Sequence, residues 1–198
     1  MPTIDREALE TTMRAELRAA WATLRSRHPG ERFYSFGLYT TDLTEQLSVT
    51  ASTEEGLSEV TQRYVTESGG DPDAQRMALR WNPSDSPLHG EGEALLAETA
   101  RLRRAGPDPC DDTPEADDAN AMIFDVAIQA LRQLDADGVF GQGHDRAQLV
   151  LGIWKGDQSD EERIEFASLL NPRAVAERFA REIAERSRAF VDMGAGPA

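Results

Sequence analysis

The alternation of apolar and polar positions is densest over Phe33 to Ala51, F-Y-S-F-G-L-Y-T-T-D-L-T-E-Q-L-S-V-T-A. Tyr34, Phe36 and Leu38 fall on one face of a first strand, and Phe33 and Tyr39 fall on the other. Leu47, Val49 and Ala51 then alternate with Ser48 and Thr50 on a second strand. A period of two in both runs predicts a β-hairpin with one buried face. Phe33, Tyr34, Phe36 and Tyr39 are four of the chain's seven Phe and three Tyr residues, so the inner edge of the main core is expected here.

Elsewhere the period is mostly helical. Leu9, Met13, Leu17, Ala20, Trp21 and Leu24 form one stripe on a helix over Ile4 to Arg27, with Thr3 as its N-cap and Pro29-Gly30 as its end. Ser52 and Glu55 have capping-box spacing and open a helix carrying Leu57, Val60, Thr61 and Tyr64. After a loop at Ser68 to Asp73, Met77, Leu79 and Trp81 alternate with Ala78 and Arg80 and predict a third strand, stopped by Asn82-Pro83. Helices follow over Glu91 to Arg104 and Asn120 to Leu134, the latter closed by Gly138. Ala147 to Trp154 is apolar on both faces and reads as a central strand. Ser159 and Glu162 repeat the capping box before a short helix to Leu170. The last helix, after Asn171-Pro172, carries Val175, Phe179, Ile183, Ser187, Phe190 and Val191 on one side.

The order α-β-β-α-β-α-α-β-α-α, with no internal repeat, predicts an α+β fold: a mostly antiparallel sheet of about four strands packed with helices. Residues 1–192 read as a single domain. Gly106 to Asp118, with three prolines, six acids and no large apolar residue, reads as an acidic flexible loop. Residues 193–198 read as a disordered tail.

Composition narrows the class. A chain of 198 residues with 39% hydrophobic content can bury a core without metal or disulfide support. The single Cys110 excludes an intramolecular disulfide and fits a reducing compartment. Neither a signal-peptide pattern nor an apolar run of about 20 residues is readable, so a cytoplasmic protein with no membrane partner is expected. A formal charge of −15 disfavours nucleic acid and favours a basic protein partner. The basic residues are all arginine except Lys155, which resembles the bias of a GC-rich bacterial genome, so the acidity has two open readings, functional and compositional.

Candidate chemistry is sparse. Asp135-Ala-Asp137-Gly138 opens like a calcium loop, but its fifth and twelfth positions hold Val139 and Arg146, so a helix cap is expected instead. His144-Asp145 could orient an imidazole, yet no nucleophile accompanies it and turn formation is the better reading. His28 reads as a helix C-terminal cation. Asp111 and Asp112 should raise the pKa of Cys110 and leave it inert. Asp42, Asp85 and Asp157 end strands or sit in turns, where a sheet could gather them into a site. No catalytic, cofactor-binding or metal-ligating residue is assigned on this basis, and no cofactor is expected.

Several segments follow one another in a recognisable order: Tyr34-Ser-Phe-Gly-Leu-Tyr-Thr-Thr-Asp42, Thr53-Glu-Glu, Arg80-Trp81-Asn82-Pro83, Leu149 to Asp157, and Leu170-Asn171-Pro172. Together they resemble the bacterial domain of unknown function 4303 family over nearly the whole chain. One departure is Ser84-Asp85-Ser86-Pro87, which lacks the aromatic expected after the R-W-N-P segment. The resemblance implies no reaction and no catalytic residues. Small acidic α+β domains of bacteria often serve as immunity or antitoxin-like partners, which is an analogy at the level of fold. Two functions are carried forward: a non-catalytic binding protein for a basic partner, and a metal- or carboxylate-dependent hydrolase.

Overall fold

The computed structural model of the chain describes residues 3–194, with backbone alone at 90, 93 and 189–194. In chain order the elements are α1 (Arg6–Arg27), β1 (Phe33–Thr40), β2 (Leu47–Thr53), α2 (Glu54–Ser68), α3 (Pro72–Leu79), 3-10 segments at Pro83–Asp85 and Gly90–Leu96, α4 (Ala97–Arg104), α5 (Pro114–Ala136), α6 (Gly143–Gln148), β3 (Val150–Lys155), α7 (Asp160–Leu170) and α8 (Arg173–Gly194). The fold is α+β, but among the described residues the sheet has three strands rather than about four. It is also mixed: in the order β2-β1-β3, β1 pairs antiparallel with β2 and parallel with β3.

The missing strand is Met77 to Trp81, which belongs to α3 and the turn after it. Asp71 accepts a hydrogen bond from the Ala74 amide and Pro72 occupies the first turn, a strong helix start that outweighs a short alternation. Leu79 and Trp81 are buried while Met77 stays 39% exposed, so the apparent period of two arose where the helix ends. Trp81 packs edge-on against Tyr34 and Phe179, with centroids 5.2 and 4.8 Å away, and stacks on Trp154. Its indole N–H has no hydrogen-bond partner among the described residues, contrary to the usual expectation for a buried tryptophan.

Helices cover both faces of the sheet. On one side Leu9, Met13 and Leu17 of α1 and Ile123, Ala127 and Leu131 of α5 cluster with Phe36, Leu38, Val49 and Leu151. On the other, Leu57 and Val60 of α2, Leu79, Trp81 and Phe179 cluster with Tyr34, Val150 and Trp154. A register shift between Phe33 and Ser35 leaves Tyr34 as an extra residue opposite β2. This bulge puts Phe33 on the face of Phe36 and turns Tyr34 to the opposite face, reversing the predicted partition of these residues.

β3 is an edge strand, not the central one. Its two apolar faces report helices above and below it, and coverage of faces says nothing about position in the sheet. Its outer edge is closed by side chains. The Asn171 amide accepts from Leu151 N at 2.9 Å and donates to Leu151 O at 2.8 Å, and Gln158 donates to Ile153 O at 2.9 Å. On the far edge, Ser86 donates to Ala51 O at 2.6 Å, and a side chain at Gly92 would meet the Val49 carbonyl at 1.6 Å. That approach leaves no room for a Cβ, and the stretch predicted as one helix over Glu91 to Arg104 is accordingly a 3-10 segment followed by α4. Both edges are thereby blocked to another chain.

The remaining differences lie at element ends. Asp5 caps α1 in place of Thr3, and Thr53 caps α2 in place of Ser52. α5 begins at Pro114, capped by Thr113, so Pro114 to Asp118 are helical and not part of a loop. The Ser159–Glu162 capping box is complete. Val175, Phe179 and Ile183 are buried along α8. Phe190 and Val191 lie outside the residues whose side chains are described. Backbone at 193 and 194 belongs to α8, and the rest of the expected tail, 195–198, lies outside the described residues.

Candidate functional sites at the two ends of the sheet

The N-terminal ends of β1 and β3 open into a cleft of about 400 Å³. Phe33 and Tyr34 from β1 line its wall, with Arg25 from α1, Arg80 from the end of α3, and His144 and Asp145 from α6. Glu31 and Glu54 are also at its surface, but both are already engaged. Arg80 holds Glu54 in a fork of 2.8 and 3.1 Å and reaches Glu182 at 3.1 Å, while Arg76 pairs with the same Glu54 oxygen. Burial alone would push the Glu54 carboxyl up, but hydrogen bonding to Arg80 and the nearby arginines outweigh it and hold the pKa below the usual range. Glu31 accepts from the Thr53 hydroxyl at 2.6 Å and lies 3.1 Å from His28 Nδ1, whose Nε2 lies 2.9 Å from Glu91. His28 thus bridges two carboxylates as well as ending α1. Burial pushes the Tyr34 phenol up to about 12, and its hydroxyl donates to Arg80 O at 2.6 Å, so it stays protonated near neutrality.

The C-terminal ends of the same strands carry a different arrangement. Lys155, at the end of β3, donates to Asp42 and, at 2.7 Å, to Glu162. Burial, the largest influence, lowers the Lys155 pKa, but its two carboxylate partners together outweigh it and the net shift is upward. Beside it the loop between β1 and β2 is anchored from below. Arg103, 2% exposed, donates to Thr44 Oγ1 at 2.9 Å, to Asn120 Oδ1 at 2.8 Å and to Pro107 O at 2.8 Å. Asn120 in turn donates to Pro109 O at 3.1 Å, which ties the segment before α5 to the same cluster. Thr44 holds φ at +53°, a left-handed conformation that these bonds maintain.

Cys110 lies on this segment, exposed, with its thiol donating to Glu45 at 2.9 Å. That hydrogen bond and the charges of Glu45 and Asp108 push the thiol up to about 11. The direction matches the sequence reading, but the cause is Glu45, 65 positions away in the chain, and not Asp111 and Asp112. Its alkylation by iodoacetamide should therefore be slow at pH 8, where the thiolate fraction is on the order of 0.1%, and should rise tenfold per pH unit towards 11. Glu45→Gln should speed the reaction at pH 8 roughly tenfold. A rate that levels off near pH 8.5 in the parent protein would show that Glu45 does not hold the proton.

The other sequence candidates are dispersed. Asp135 is the partner of Arg146, at 2.5 and 3.0 Å, and Asp137 pairs with Arg18 at 2.7 Å, so both are structural. Asp85 is held by the Tyr64 hydroxyl at 2.8 Å and Asn82 at 2.6 Å. Asp157 is exposed in the turn after β3. Asp42 and the His144–Asp145 pair sit at opposite ends of the sheet, separated by a strand of about 20 Å. Among the described residues no three His, Cys, Asp or Glu side chains gather where a metal could be held. No sequence pattern marks the arginines at 25, 80 and 103 or Glu54 as parts of a site. Only Arg76 and Arg80, four apart as on one helix face, carried a local hint, and it was visible only once that stretch was helical.

A mixed three-stranded sheet between two helical layers, with a paired-charge cleft at one end and a carboxylate-rich loop cluster at the other, defines the class. The chain belongs to the family of the domain of unknown function DUF4303, whose model matches residues 13–172. No curated protein and no solved structure matches it. Among the described residues no helix is long and apolar enough to cross a membrane.

Proposed function

We propose that this chain is a non-catalytic binding protein that engages a basic protein, in the manner of an immunity or antitoxin-like partner, through the C-terminal end of its sheet. One observation carries the reading. Two cations at that end are drawn inward, with Arg103 2% exposed and the Lys155 side chain 9% exposed, while Glu45, Asp111, Asp112, Asp118, Asp157 and Glu161 are exposed. Outward carboxylates over buried counter-charges make a negative face on a chain whose net charge is −15. Such a face attracts basic surfaces and repels nucleic-acid backbones. The hydrolase reading rests on Asp42, Asp85, His144, Asp145 and Asp157, and among the described residues no three His, Cys, Asp or Glu side chains gather where a metal could be held.

The test is the association rate with a partner captured from the native host. It should fall steeply as salt rises from about 20 to about 300 mM, and Asp111→Arg with Asp112→Arg should flatten that dependence. A captured partner that is itself acidic, or an association rate indifferent to salt, would overturn the reading.

A further inference from the structure

The cleft at the N-terminal end of the sheet is a separate matter from the acidic face. Most of its charged groups already have partners: Arg80 and Glu54 hold each other, Glu31 accepts from Thr53, and Arg32 pairs with Glu55 at 2.9 Å. Two charges of opposite sign are left. Arg25 forms no ion pair among the described residues; its guanidinium lies 5.8 Å from the Trp21 ring and 5.7 Å from the Phe33 ring. Asp145 likewise has no ion pair among the described residues, so the two are more than 4 Å apart although they line the same space.

The surroundings of this pair specify more. Arg25, Phe33 and Asp145 also line a neighbouring cavity of about 250 Å³, whose remaining wall includes Trp21, Val139, Phe140 and Leu149. Two spaces therefore meet at one cation and one anion that form no ion pair with each other, and the second is walled in part by the Trp21, Phe33 and Phe140 rings. A carboxylate can take the Arg25 fork, an ammonium can take Asp145, and an apolar side chain can fill the adjoining pocket.

We propose that this junction binds a free α-amino acid or dipeptide with an apolar side chain. Arg25 receives the carboxylate, Asp145 the ammonium, and the Trp21–Val139–Phe140 pocket the side chain. His144 stands beside Asp145 as a second polar group, which gives the adjacent His-Asp pair a role in binding rather than in proton transfer. No bond is made or broken.

The experiment is a titration of the full chain with L-leucine and L-phenylalanine, read by amide shifts of Phe33, Val139 and Asp145 and by Trp21 emission. Leucine stripped of one charge serves as the control: 4-methylpentanoate keeps the carboxylate, and isopentylamine keeps the ammonium. The zwitterions should bind about 10–100-fold more tightly than either. Arg25→Gln should weaken leucine by a similar factor and leave isopentylamine unchanged, whereas Asp145→Asn should weaken leucine and leave 4-methylpentanoate unchanged. Both residues are exposed and form no ion pair among the described residues, so the variants should fold, and Asp73→Asn, exposed on α3 and part of neither site, is the matched control. The proposal is overturned if neither amino acid saturates the protein by about 20 mM, if the single-charge analogues bind as well, or if the two variants bind leucine as the parent does. Loss of the acidic-face reading would leave this result untouched, because the two sites share no residue.

Discussion

Trp81→Ala should lower stability by about 3–5 kcal/mol, as expected when a fully enclosed large aromatic is truncated. For a chain of this length that is a fall in melting temperature of roughly 6–20 °C. The residue is 2% exposed and sits where three elements meet, with Tyr34 of β1, Trp154 of β3 and Phe179 of α8 all in ring contact. Truncation would leave a void bounded by rings held on rigid elements, so little collapse can follow. Trp81→Phe should cost much less, because it keeps most of the packing and removes an indole N–H that is buried without a partner among the described residues. The competing idea, an exposed aromatic anchor for a partner, predicts a Trp81→Ala protein that melts within a degree or two of the parent. That outcome would refute the core role.

Asp135→Ala should cost about 3 kcal/mol, the lower end of the range for breaking a buried ion pair because Asp135 itself is 21% exposed. The damage comes from what remains. The Arg146 side chain is 8% exposed, and besides Asp135 it donates to Leu149 O at 2.7 Å and to Asn171 Oδ1 at 3.1 Å. Asn171 closes the edge of β3, so one guanidinium ties the end of α5 to α6, to the start of β3 and to the junction of α7 and α8. Without Asp135 its charge stays buried and uncompensated. Arg146→Met together with Asp135→Ala should therefore cost less than the sum of the two single changes, by roughly 1–3 kcal/mol. Denaturant melts of the four proteins provide the check, and strict additivity would mean the pair is not coupled.

Asp135 also shows where sequence reading ends. As the opening of a D-x-D-G run it could be rejected as a calcium ligand from the sequence alone, since Val139 and Arg146 stand where ligands are needed. That the same Arg146 is its partner, 11 positions on, depended on α6 turning back across the end of α5. The cleft is similar. His144 and Asp145 were visible as a pair, but Arg25, Phe33 and Glu54 come from three other elements, and no local pattern links them.

What the chain determined by itself were features set by short-range energetics. The stripe on α1, the Ser159–Glu162 box, the strand character of β1 and of β2 and the helix stop at Gly138, with φ at +75°, each follow from neighbours within about seven positions. Tertiary structure decided the rest. Three apolar residues at alternate positions suit a strand or a helix end equally, and the Asp71–Pro72 start and the Glu54 contacts tipped Met77 to Leu79 to the helix, with Trp81 in the turn after it. A strand apolar on both faces can be central or lateral, and β3 became an edge because Asn171 and Gln158 satisfy the carbonyls and amide that another strand would have taken. Charge followed the same division. The total of −15 is a property of composition, whereas burial of Arg103 and Lys155 beneath the exposed acids is a property of packing, because only the folded chain sets which charges keep their water.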